Sequence, residues 1–194
     1  DQLEESNAKK QLRAAAFETA LFGTGVMKGP FAVDKEYPNW NEDGEYKPVF
    51  KTMPQTSNVS IWNFYPDPDA NNMDEAEYVV ERHKMSRSQL RALKNRPFFR
   101  SNAIDKALDI GENYDKKWWE HEMDESRQES DAFRFDVLEF WGFVDRKIIE
   151  NYNVDIPKEF SKKDQISING WICNGCVLRL VINPFTPAYI PYYA

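Results

Sequence analysis

Apolar and polar positions change period several times along this chain, and each change marks an element. In the first segment Phe17 and Leu21 stand four residues apart with Ala14 on the same side. Ala15, Ala16 and Ala20 are strong helix formers, so residues 1–22 predict a helix with an Ala14/Phe17/Leu21 face. Gly23-Thr24-Gly25 lets the chain turn out of it. Strand-like pieces follow at 26–33 and 47–53, separated by a polar loop over 34–45 that contains Pro38 and Gly44. Residues 59–65 alternate, Trp62 and Phe64 against Val59 and Ile61, and predict a further strand. Tyr78-Val79-Val80 predicts another.

Two short helices come next. Ser86 with Gln89 three residues on is a capping box, and Leu90 and Leu93 share a face before Asn95 and Pro97 stop the helix. Ile104, Ala107 and Leu108 mark a second helix from Ser101 to Gly111. Two helices invite a helix-turn-helix reading. Asp105 and Asp109 on the second, and the long link around Arg96-Pro97-Phe98-Phe99-Arg100, argue against a recognition helix.

Residues 133–144 are the most apolar stretch. Phe135, Val137, Trp141 and Phe143 fall on one face of a strand, and Leu138, Phe140 and Val144 on the other. That is the pattern of a central strand buried on both sides. Residues 145–152 read as a helical turn or a strand continuation. Residues 166–182 predict a hairpin turning at Asn174-Gly175. Its expected pairs are Cys173 with Cys176, Ile172 with Val177, Trp171 with Leu178 and Ile168 with Val181. One face then holds Ile168, Ile172, Val177 and Val181, the other Trp171, Leu178, Leu180 and Ile182. With both faces apolar, the hairpin is expected to be sandwiched or buried in an assembly. The proline-bearing tail over 184–191 should run extended.

These elements predict an α+β fold: mixed or antiparallel sheet, an N-terminal helix and a small helical insertion. The expected plan is a single domain over 1–194, with a helix at 1–22, strands over 23–83, a helical insertion at 86–111 and core strands with the hairpin at 133–183. The start, Asp1-Gln2-Leu3-Glu4-Glu5, lacks a basic region followed by an apolar one. Together with the abrupt end at Tyr192-Tyr193-Ala194, it reads as a piece of a longer chain or a processed product.

Composition adds few constraints. Of 194 residues, 41% are hydrophobic, 29% charged and 14% aromatic; this is a globular composition whose aromatic excess suits core or subunit contacts. The net charge of −7 argues against a domain whose task is gripping a phosphate backbone. No apolar run reaches the roughly 18 residues that span a bilayer.

Candidate chemistry is sparse. Cys173 and Cys176 form a C-x-x-C pair around a hairpin turn, where a zinc site wants four ligands and a thioredoxin-like pair wants a helix N-terminus. The reading preferred is a pair of reduced hairpin cysteines, with metal and redox readings as alternatives. His83 and His121 are each isolated in sequence, and His121-Glu122 lacks the second histidine of a zincin. Asp67, Asp69 and Asn71 alternate like the start of an EF-hand loop. Its sixth and twelfth positions are here Asn72 and Tyr78, where Gly and Glu are required. Pro66-Asp67-Pro68-Asp69 is better read as a rigid turn whose carboxylates cap backbone N–H groups. Gly23-x-Gly25 with Lys28-Gly29-Pro30 is no P-loop, and no nucleophile elbow is present. No catalytic, cofactor-binding or metal-ligating residue is assigned, and no cofactor is expected. Residues 116–131 are dominated by charge around Trp118-Trp119, which suits either a solvated connector with docked tryptophans or an anchor into a neighbouring subunit.

Five segments, in order, resemble tailed-phage portal proteins, most closely those of short-tailed phages. They are Leu21-Phe22-Gly23-Thr24-Gly25-Val26-Met27-Lys28-Gly29, Trp62-Asn63-Phe64-Tyr65-Pro66-Asp67-Pro68-Asp69-Ala70, Glu75 to Arg82, Val137-Leu138-Glu139-Phe140-Trp141-Gly142, and Asn183-Pro184-Phe185 through Pro191-Tyr192. The chain looks like most of a portal wing, without stem, clip, tunnel loop or crown. The resemblance implies a homo-oligomeric ring, dodecameric in the virion, assembled in the host cytoplasm at one capsid vertex. Its implied partners are the major capsid protein, the terminase and the tail adaptor, with DNA passing through without sequence-specific binding and no membrane. It implies no enzymatic activity. Rival readings are a non-viral α+β protein-interaction module and a Cys-pair redox or metal protein.

Overall fold

The structure is a computed structural model that describes residues 7–41, 43–114, 134–152, 154, 156–160, 163–185 and 187–194. The expected α+β fold is present, with an N-terminal helix and antiparallel sheet. Where the sequence suggested one domain, the contacts gather into two compact units. One comprises Asp1–Phe64 with Pro191–Ala194, the other Tyr65–Ile190.

In the first unit, helix α1 (Ala8–Phe22) is followed by strands β1 (Val26–Tyr37) and β2 (Val49–Val59). The helix closes on Gly23, whose N–H bonds to the Thr19 carbonyl. Gly25 then passes so close to the helix that a Cβ on it would meet the Ala15 carbonyl and lie 2.6 Å from Thr19 Oγ1. Both strands are longer than expected. Asp34-Lys35-Glu36, read as loop, pair with Thr52, Lys51 and Phe50. A two-stranded ribbon carries charged side chains on its open faces without cost, so polar alternation there is no sign of a loop. Pro54 sits in β2, an outer strand where its missing N–H breaks no ladder bond. The chain end supplies β8 (Tyr192–Tyr193), paired to Met27 and Lys28 of β1. Tyr192 is buried there, 5.5 Å from the Phe64 ring, with Lys28 Nζ over its own ring.

The strand expected at 59–65 is a correction. Val59 ends β2, Ile61–Asn63 form a 3-10 turn closed by Asn63 N–H to the Ser60 carbonyl, and only β3 (Phe64–Pro66) is extended. The alternation of Ile61 and Trp62 suited a strand. The turn instead sets Trp62 edge-on to Phe22 at 5.6 Å.

The second unit is built on a sheet ordered β3, β4 (Tyr78–Ser86), β5 (Arg134–Asp145), β6 (Gln165–Cys173) and β7 (Cys176–Ile182). β5 is central, as its two-sided apolar pattern predicted. Helices α2 (Arg87–Ala92) and α3 (Ser101–Ile110) cover one face. Their Leu90, Leu93, Ile104, Ala107 and Leu108 pack with Phe135, Val137, Trp171 and Leu178. The Ser86–Gln89 capping box forms as expected. α4 (Arg146–Asn151), the helical option for residues 145–152, covers the opposite face, where Ile149 packs with Ile166 and Ile168. Phe143 and Leu138 are exposed, so β5 is covered over most of its length but not all of it.

The hairpin turns at Asn174 and Gly175, both at positive φ as an Asn-Gly turn requires. Cys173 faces Cys176 and Ile172 faces Val177 as predicted. A bulge then shifts the register, so Trp171 pairs with Arg179 and Ile168 with Ile182. This corrects the expected faces. Leu178 joins Trp171 and the cysteines on the α2/α3 side, while Leu180 and Ile182 join Ile168 on the α4 side. One extra residue moves every later side chain to the other face. Both faces are thus covered inside the unit, which removes the hairpin as an argument for assembly.

Gly142 holds the sheet close to the turn before β4. A Cβ there would lie 2.6 Å from Tyr78 Cβ and 2.8 Å from the Glu77 carbonyl oxygen. Gly142→Ala should therefore lower unfolding stability by about 1–3 kcal/mol by overpacking against backbone. Urea unfolding followed by tryptophan fluorescence will check it; an unchanged midpoint would show the backbone there yields freely.

Candidate functional site

Strand alternation puts Glu81 and His83 on one face of β4, and pairing places Glu81 opposite Glu139 of β5. The three side chains converge. His83 Nε2 lies 2.9 Å from Glu139 Oε2, and His83 Nδ1 lies 3.7 Å from Glu81 Oε1. The other Glu139 oxygen accepts from Trp141 Nε1 at 2.7 Å and Asn169 Nδ2 at 3.1 Å. The Trp171 ring stacks on His83 at 4.8 Å with 4° between planes. Glu139 and Asn169 are buried. Arg179, opposite Trp171, feels the Glu139 charge, but burial outweighs it and lowers the guanidinium below its usual range.

One ligand atom from each of Glu81, His83 and Glu139 can be chosen so that all lie within 4.8 Å of one another. Ligands at roughly 2.1 Å from a divalent ion stand no more than about 4.2 Å apart, so small rotations would be needed to close a cation site. The orientation favours another role. His83 Nε2 is already hydrogen-bonded to Glu139 at 2.9 Å, while Nδ1 stands 3.7 Å from Glu81, too far for a hydrogen bond. The cluster works as a polar clamp between β4, β5 and β6.

Sequence reasoning left His83 isolated. The Glu81-x-His83 spacing on a strand was a legible signal, but Glu139 enters through a pairing 58 residues away, Glu81 to Glu139. The other sequence candidates are placed as follows. Asp67 is a backbone cap: Oδ1 accepts from Asp69 N–H at 3.0 Å and Oδ2 from Glu77 N–H at 3.1 Å, while its own N–H bonds to the Tyr78 carbonyl. Asn72 Oδ1 caps Asp74 and Glu75 in the same way. Asn183, in the last matched segment, pins its loop through the Tyr189 carbonyl and Phe185 N–H, and Phe185 stacks on Trp141. Cys173 and Cys176 are free and buried, and burial pushes the Cys173 thiol up to about 11. Trp118, Trp119, His121 and Glu122 lie outside the described residues.

An unexpected surface lies on α1. Its inward stripe is Ala8, Gln11, Ala15 and Glu18, spaced three and four. Gln11 Oε1 accepts from Asn58 N–H of β2 at 2.8 Å, and Glu18 Oε1 from Asn58 Nδ2 at 3.3 Å. Of the predicted Ala14/Phe17/Leu21 face, Phe17 and Leu21 point outward, 65% and 59% exposed, while Ala14 is half-buried. A polar strand edge has selected the helix side that can bond to it.

The chain matches no family model, and no curated protein matches it.

Glu139→Ala removes the acceptor of Trp141 Nε1 and leaves Asn169 Nδ2 only the Phe140 carbonyl at 3.4 Å, and should cost about 2–4 kcal/mol. Glu139→Ala in a His83→Ala background should cost less than the two changes added, because the pair acts together. Chemical denaturation of the four proteins checks both. For the thiols, a folded-state value raised above the usual one keeps Cys173 neutral through pH 9, and its stabilising share is lost as pH climbs through about 11. Iodoacetamide at pH 8 should label Cys173 far more slowly in the folded protein than in guanidinium; equal rates would reveal an open, reactive pair.

Proposed function

We propose that the chain is a structural protein that assembles with copies of itself, and that it forms most of the wing of a tailed-phage portal ring. In that reading it sits at one capsid vertex of the virion, takes up terminase during packaging and the tail adaptor afterwards, and lets DNA pass without covalent chemistry of its own.

The observation that carries the proposal is α1. A helix normally turns its apolar side to its own core. This one packs on β2 through glutamine and glutamate and presents Phe17 and Leu21 to the outside. Two large side chains on one helical face suit burial by a neighbour. In a ring the contact is heterologous, so this face meets a different surface on the next subunit. The matched segments agree with an architectural role: the Asp67 corner, the Gly25 and Gly142 close approaches and the Asn183 pin each fix backbone.

Replacing Phe17 and Leu21 together by Asp should leave folding stability within about 0.5 kcal/mol, since neither is buried in the chain. It should convert the ring-forming protein to monomer in multi-angle light scattering. A parent protein that is monomeric at every concentration tested would sink the assembly reading. A variant that still forms the parent oligomer would move the contact elsewhere.

A further inference from the structure

β7 is the outer strand of the second unit's sheet, and half of its free edge is taken. Arg100 N–H bonds to the Leu178 carbonyl at 2.8 Å, and Phe99 bridges Arg179 in the antiparallel sense. Continued backwards, that pairing would set Pro97 beside Val181. The chain instead leaves the edge at Phe98, whose φ is +66°. A bulky residue held in the left-handed region carries strain, and such strain gathers at functional sites.

What Phe98 vacates is open. Asn183 N–H bonds inward to the Ser167 carbonyl, so strand alternation turns the N–H and C=O of Leu180 and Ile182 outward. The Phe99–Arg179 bridge turns the Leu180 N–H to the Phe98 carbonyl, and among the described residues the Leu180 C=O and the N–H and C=O of Ile182 carry no bond on that side. Beside them lies a cleft of about 490 Å³ lined by Phe98, Arg100, Val154, Pro157, Arg179 and Leu180 among others. The Phe98 ring is 72% exposed. Among the described residues the cleft's charged lining is two arginines. Arg100 spends one donor on the Tyr152 carbonyl. Arg179 Nε is buried without a hydrogen-bond partner.

We infer that this edge is a docking site for an extended segment of another polypeptide, which adds as a strand beside Leu180–Ile182 and places an acidic side chain against Arg100 and Arg179. Backbone pairing supplies affinity, and the cleft selects alternate apolar side chains. Arg179, whose guanidinium lies over the Phe99 ring, gains a charge-assisted bond at its unpartnered Nε. A second copy docked edge to edge by two-fold symmetry is disfavoured, because it would bring the arginines of both copies together across one strand width. The site is built from residues of the second unit alone and stands independently of the assembly reading.

The test is selection of a displayed library of random heptapeptides on the intact chain. Enriched peptides should carry an acidic residue among alternating apolar ones and bind saturably in fluorescence anisotropy. Exchanging their acid for the amide, or making Arg100→Met, should weaken binding by roughly tenfold. Methylating the backbone nitrogens that face β7 should abolish it. Arg179→Met should act in the same direction, and Arg100→Met, being half-exposed, preserves the test if that buried change unfolds the protein. No enrichment, enrichment of basic peptides, or binding indifferent to Arg100→Met and to N-methylation would overturn the site. Peptide binding lost in step with self-association of the chain would assign the edge to a second copy and overturn the acidic partner.

Discussion

The second unit depends on one constraint: β5 lies between two strands and needs apolar cover on both faces. Its pairing with β4 and β6 leaves no edge of its own. The two clusters on its faces then decide where everything else goes. α2 and α3 serve the Phe135/Val137 side, and α4 with Phe160 serves the Phe140/Val144 side. Each helix is short, at six to ten residues, and too short to be stable alone. They persist because β5 offers them a surface, and they in turn keep that surface dry.

The same strand imports a polar cluster into its own cover. Glu139 faces the side on which Val137 and Trp141 are buried, and it is tolerated because His83, Trp141 and Asn169 each meet one of its oxygens. Fully paired, such a group fixes register, since a slip of one residue would put it on the other face. The Val137-Leu138-Glu139-Phe140-Trp141-Gly142 segment therefore has a physical reading beside its resemblance. Val137 and Trp141 are core, Glu139 locks the neighbours, and Gly142 admits the turn at Glu77-Tyr78.

The first unit follows a different economy. A two-stranded ribbon with a small third strand has little interior, and its helix bonds to a strand edge through polar side chains. Large apolar groups such as Phe17, Leu21 and Phe50 remain outside. The second unit covers most of both sheet faces within itself, yet Phe98, Ile110, Phe143 and Ile148 stay exposed. Exposed apolar groups occur in both units, and the assembly proposal rests on those of α1, where sequence reasoning had looked to the hairpin.

Elements whose signals are local were legible in the sequence. The Ser86 capping box, the Ile104/Ala107/Leu108 stripe, the Asn174-Gly175 turn, the Asp67 corner and the central place of β5 each follow from residues within a few positions of one another. Tertiary structure decided what depends on distant partners. The bulge at Leu178 reversed the hairpin's later faces. The β2 edge chose which side of α1 turned inward. The pairing of β4 with β5 brought Glu139 to His83. Periodicity names the faces an element has, but the neighbour that arrives, and the hydrogen bonds it must satisfy, settle which face is buried.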